Sequence, residues 1–181
     1  MSFIWKTLAG FFGLGFVPLL PGTIGSLGAI PLFLLLAHLN WPLYFLTVMA
    51  FTFLSLWICQ KALPLFQDTN KPEDPSRIVI DEVAGLLWAL GIVRYLGLWK
   101  PEEGFLWLLL IPFVFFRLFD VTKWGPVGWA ERRFSGAAGI VLDDVLAGIL
   151  AGIVSILFCV VYPFLIYGIR SMVHGPWSTV Q

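Results

Sequence analysis

The chain has 181 residues, 59% of them hydrophobic and 17% aromatic, with eleven acids, eleven Lys and Arg and no net charge. Soluble domains carry about 25% charged residues; at 12%, this chain cannot clothe a water-facing surface. That excludes a soluble globular protein, and the zero net charge removes any argument for a nucleic-acid partner. A multi-pass membrane protein of one domain is the class that remains.

From Thr7 to His38 there is no acid, Lys or Arg, but Pro18, Pro21 and Gly22 divide the run. The first piece, about 3–17, holds Gly10, Gly13 and Gly15 and suits an interfacial or re-entrant helix rather than a span. The second opens at Thr23 or Ser26, either a good N-cap, and runs to about Leu39. Asn40-Trp41-Pro42 forms a turn, and Trp41 to Gln60 makes a clean span. A polar loop from Lys61 to Arg77 leads into a third span reaching about Trp99. Lys100 to Gly104 turns the chain into span four, Phe105 to Phe119. A second polar loop, Val121 to Gly139, precedes the last span, in which no charge occurs from Val145 through Ile169. That length crosses a bilayer, which takes about 20 apolar residues. In all, four to five membrane-embedded helices are expected, besides the N-terminal one. Cys59 and Cys159 lie within spans and read as packing residues. No small-x-small cleavage pattern marks a signal peptide. Trp41, Trp99, Trp107, Trp124 and Trp129 fall near span ends, as an aromatic belt would place them.

Two acidic doublets interrupt this apolar chain. Ile140-Val141-Leu142-Asp143-Asp144-Val145-Leu146-Ala147-Gly148 has an echo in Ile78-Val79-Ile80-Asp81-Glu82-Val83-Ala84-Gly85. Charges inside a membrane segment are costly and need a reason. Alternating the spans puts Lys6, Lys61, Lys71, Arg77, Lys123, Arg132 and Arg133 on one side, against Arg94, Lys100 and Arg170 on the other. The richer side is cytoplasmic. The same assignment gathers both doublets, Arg117, Asp120, Lys123 and the Pro21-Gly22-Thr23 turn at that face. Ala147, Gly148, Ala151 and Gly152 form small-xxx-small pairs, which allow close helix packing.

Five carboxylates at one face repel one another unless cations sit among them. All-oxygen donors suit Mg²⁺, with Asp81, Glu82, Asp143 and Asp144 able to supply one ion or a two-ion clamp. The plain alternative is that each doublet favours a helix N-terminus. Arg117 and Asp120 share a helix face; they are either a local ion pair or, with Lys123, part of a phosphate site. Thr23 and Ser26 are further phosphate-binding candidates at the turn Pro21-Gly22-Thr23-Ile24-Gly25-Ser26, where a plain N-capped turn is the alternative. Metal-binding acids beside cations are the equipment of phosphoryl chemistry. His38 and His174 fall on the outer side, against a phosphohistidine route. Gly-x-Ser-x-Gly, Walker and Asp-x-Asp-x-Thr patterns are absent, as is the Asp-x-x-Asp-Gly-x-x-Ala-Arg pattern of CDP-alcohol transferases. A transporter with an acidic ion site, or a non-catalytic subunit with acidic caps, are the competing classes.

Four blocks together resemble the phosphatidylglycerophosphatase A family: Leu20-Pro21-Gly22-Thr23-Ile24-Gly25-Ser26-Leu27, Ile80-Asp81-Glu82-Val83-Ala84-Gly85, Phe116-Arg117-Leu118-Phe119-Asp120, and the run from Gly139 to Gly148. The likeness covers about residues 10–155, in the family's order, and leaves 170–181 as a tail. It implies an all-α, Mg²⁺-dependent enzyme of the bacterial inner membrane, a single membrane-embedded domain with its site on the cytoplasmic face. Its substrate would be a phospholipid in the bilayer, phosphatidylglycerophosphate, hydrolysed to phosphatidylglycerol. The family's acidic and arginine positions carry over onto Asp81, Glu82, Arg117, Asp120, Asp143 and Asp144. One carboxylate, such as Asp120, would serve as general base. Lys123 matches the family's Lys before Pro-x-Pro, with Trp124 in place of the first proline and Pro126 kept. The following Gly-Gly reads Gly136-Ala137.

Overall fold

A computed structural model describes residues 2–18, 20–66, 75–96 and 105–173, with side chains as far as Tyr162. Regular structure among these residues is wholly helical. In chain order the helices are α1 (Ser2–Ala9), α2 (Pro21–Leu27), α3 (Ala29–Leu36), α4 (Trp41–Ala62), α5 (Ile80–Tyr95), α6 (Phe105–Thr122), α7 (Pro126–Arg133) and α8 (Ala137–Val173). Short 3₁₀ turns follow at Leu14–Phe16 and Leu63–Phe66.

The centre is α5. Between its terminal charges, from Val83 to Val93, its sequence is apolar on every side, so no face of that stretch prefers water. Val83, Ala84, Leu86, Leu87 and Ala89 are all fully buried. Helices α2, α3, α4, α6 and α8 surround it, with α8 making the most extensive contact. The α5–α8 seam is a glycine crossing. A Cβ on Gly148 would collide with the carbonyl group of Gly85, and one on Gly85 would lie 2.5 Å from the carbonyl oxygen of Asp144. Further along, a Cβ on Gly152 would sit 2.7 Å from Cβ of Ile92. The small-residue stripe of α8 is thus the surface on which α5 lies.

Among the described residues, two helical stretches are long and apolar enough to cross a membrane: Trp41–Phe66 and Ala137–Tyr162. The first begins where Asn40 caps it, its side chain accepting from the Leu43 amide at 3.1 Å. The expected third and fourth spans are shorter. At 1.5 Å per residue, α5 and α6 measure about 24 and 27 Å, against a hydrocarbon core of about 30 Å.

Three expectations are corrected. The helix expected from Thr23 or Ser26 to Leu39 starts instead at Pro21, after Leu20 in a left-handed conformation (φ 54°), and breaks between Leu27 and Ala29. Proline at the first helical position is pre-set for the helix. The break follows from Pro31, whose ring excludes the normal bond to the Leu27 carbonyl. Helix α8 begins at Ala137, two turns before Val145. The doublet Asp143-Asp144 is therefore inside the helix, beyond the first turn where the dipole acts, and is no terminal cap. Finally, the loop Val121–Gly139 contains α7, started by Pro126 and ending in Arg132 and Arg133, cations that suit a helix C-terminus. Lys71, Lys100 and His174 lie outside the described residues.

Candidate active site

Helix α5 presents Asp81 and Glu82 in its first turn, and α6, running the other way, brings Arg117 and Asp120 in its last turns. The second turn of α8 adds Asp143 and Asp144. Lys123 follows α6 in a left-handed conformation (φ 51°), and α7 packs so closely that a Cβ on Gly128 would strike the Lys123 carbonyl. Such a backbone costs on the order of 1–3 kcal/mol and is held only by its surroundings. All seven side chains line one cavity of about 380 Å³, together with Thr23, Gly22 and Ser76. The carboxylates are deep: Asp81, Asp143 and Asp144 are 3%, 5% and 4% exposed.

The two cations stitch the acids together. Arg117 Nη1 lies 2.7 Å from Asp120 Oδ2 and 3.2 Å from Glu82 Oε2. Lys123 Nζ lies 3.1 Å from Asp120 Oδ1 and 2.6 Å from Asp143 Oδ2. Asp120 is thus gripped on both oxygens, by a different cation on each. Burial alone would lower the pKa of Lys123, but Asp144, Asp143 and Asp120 outweigh it and hold the ammonium above its usual value. Lys123 is charged at any working pH. Asp144 lies within electrostatic reach of Asp120, Asp81, Asp143 and Glu82. Among the described residues, no three of His, Cys, Asp and Glu converge in the manner of a metal-ligand set; Arg117 and Lys123 stand between the acids instead.

Thr23 lines the cavity, whereas Ser26 does not. Ser26 is fully buried, and its hydroxyl sits 2.9 Å from Glu82 Oε2 and 2.8 Å from the Gly22 carbonyl. Its partner is a carboxylate of the site rather than the cavity. Two features escaped the sequence reading. A Cβ on Gly22 would collide with the Glu82 carboxylate and lie 3.1 Å from Arg117 Nη2, so this glycine lets the turn close over both groups. Ser76, just before α5, adds a hydroxyl to the lining. The Pro-Gly pair signalled a turn; nothing local signalled what the turn covers.

A model of the phosphatidylglycerophosphatase A family matches residues 7–159. The chain belongs to this family. It is 37% identical over 151 residues to "Phosphatidylglycerophosphatase A" of Escherichia coli K12, covering 83% of this chain and 81% of that one. A Haemophilus influenzae protein of the same name is 34% identical over 148 residues, covering 81% and 83%. A Bacteroides thetaiotaomicron protein named "Putative phosphatidylinositol-3-phosphatase" is 36% identical over 155 residues, covering 82% and 89%. No solved structure matches. As a phosphatidylglycerophosphatase A family member the chain is a phosphatase, and the transporter and non-catalytic readings fall away. All four blocks that carried the resemblance lie within the matched residues.

Proposed function

We propose that the chain hydrolyses the phosphomonoester of phosphatidylglycerophosphate, releasing phosphate and phosphatidylglycerol for phospholipid synthesis. The observation that carries this is the single cavity in which three helices place five carboxylates around Arg117 and Lys123. The bundle sits as a multi-pass protein in the bacterial inner membrane, with α5 packed against both long helices and α6 against α8. The cavity faces the cytoplasm, the side that the Lys and Arg bias selects. A bilayer substrate keeps its tails in the membrane while its headgroup enters.

Arg117 and Lys123 bind the phosphate oxygens, the first through a planar fork and the second as a point charge. Both already point at one spot because Asp120 holds them there. Glu82, fixed by Ser26 and Arg117, orients the guanidinium from the other side. The five acids outnumber the two cations lining the cavity and offer only oxygen donors, the chemistry a hard divalent cation takes, once they turn from Arg117 and Lys123 toward it. Asp81, Glu82, Asp143 and Asp144 would hold Mg²⁺, which when bound supplies charge neutralisation and a more acidic water. A cavity carboxylate, with Asp120 the first candidate, takes the proton of the attacking water.

Purified protein in detergent micelles tests this by phosphate release. The expected result is release from phosphatidylglycerophosphate that stops with EDTA and returns with excess Mg²⁺. Because of the Bacteroides relative, phosphatidylinositol-3-phosphate belongs in the same assay. Faster turnover of that lipid would overturn the substrate assignment, and undiminished turnover in EDTA would overturn the metal.

A further inference from the structure

A second cavity, of about 320 Å³, opens beside the first. Ile140 and Asp143 line both, so the two share a wall. Across from that wall are Arg132 and Arg133, in the last turn of α7. Neither guanidinium forms an ion pair among the described residues. Of the acids beside them, Asp143 is taken up by Lys123 at 2.6 Å, and Glu131 pairs with neither arginine. Two glycines tighten the corner that shapes this space. Gly136 turns the chain at φ 65°, and a Cβ on Gly139 would sit 2.5 Å from the Phe134 carbonyl oxygen. The cavity is therefore fixed by close backbone contacts rather than left by a loose loop.

We infer that this cavity binds the phosphodiester of the substrate lipid while the neighbouring cavity holds its terminal phosphomonoester. The assignment rests on the lipid-phosphatase reading above. A headgroup with a phosphomonoester on a diester-linked polyol carries two anions joined by a short bridge. The chain offers two cation pairs on either side of one wall: Arg117 with Lys123, and Arg132 with Arg133. Helix α7 also has the make-up of a surface-lying helix. Trp124, Trp129 and Phe134 are exposed on it and beside it, while Val127 and Ala130 are buried. Exposed aromatics with cations on one short amphipathic helix mark an interfacial element, and the interface is where a phospholipid's diester lies.

The test compares wild type with R132Q/R133Q, both changes at exposed positions. Tryptophan fluorescence follows binding of dihexanoyl-phosphatidylglycerol, which carries the diester alone, and separately of inorganic phosphate. The double variant should bind the short lipid at least tenfold more weakly and inorganic phosphate as wild type does. On phosphatidylglycerophosphate it should raise KM with kcat little changed, the pattern of lost uniform binding. Unchanged affinity for the short lipid would overturn the inference. So would an equal loss for lipid and phosphate, which would make the arginines a general charge effect. If wild type released no phosphate from the full substrate, the proposed reaction would fail, while the short-lipid comparison would still decide this cavity's ligand.

Discussion

Asp144→Asn is expected to cut phosphate release by about 10²–10³-fold, the cost of losing one charged group from a preorganised site, while leaving the protein at least as stable. The two outcomes have one cause. Asp144 is 4% exposed, in a helix stretch that is apolar apart from Asp143, and it lies within electrostatic reach of four other carboxylates. A buried charge of the same sign as its neighbours costs stability. Asparagine keeps the shape, removes the charge and relieves the repulsion. A structural aspartate would behave differently: its loss would lower the melting temperature together with activity. Phosphate release and thermal unfolding in the same detergent separate the two, and a clear fall in Tm for the variant would count against a catalytic role.

Gly148→Ala is the second large effect, and it acts without touching a charge. The added methyl would meet the Gly85 carbonyl group, which is backbone and cannot swing aside. Overpacking of this kind costs about 1–3 kcal/mol, through shifted backbone. The functional cost is greater. Asp144 is one turn before Gly148, and Glu82 and Asp81 are one turn before Gly85. Prising the helices apart at the crossing therefore widens the gap between the doublets. A misplacement of about 1 Å can cost on the order of 10²-fold in rate. Activity should fall by about that factor in protein that still purifies as a folded species. Full activity would show that the seam does not set the distance between the acids.

Much of the site was legible because its signals are local and costly to place. Acids and bases in an apolar chain stand out, and alternating the spans put Asp81, Glu82, Arg117, Asp120, Lys123, Asp143 and Asp144 at one end, the end where they share a cavity. The start of α4 was readable for the same reason, since Asn40 caps its own neighbours. Hydropathy misled where it outweighed finer signals. Pro31 lies inside an apolar run, and its effect on the carbonyl four residues earlier breaks α2 from α3. Helix α7 was missed because its pattern is short and polar, and α8 extends earlier because Ala137 and Ala138 favour helix as strongly as the apolar run does. Contacts between distant residues left no trace in the chain. Ser26 against Glu82 and Gly22 over Arg117 belong to that class, as does the meeting of Gly85 with Gly148, although a glycine ending each doublet block hinted at it.

The central claim is that the two doublets form one site. A double-mutant cycle of Asp81→Asn and Asp144→Asn, read as kcat for phosphate release, tests it most directly. Groups that act as a unit are strongly non-additive. The account predicts that the double variant is no slower than the slower single variant by more than a few-fold. Losses that simply multiply would mean that the doublets work independently, and the shared site would be wrong.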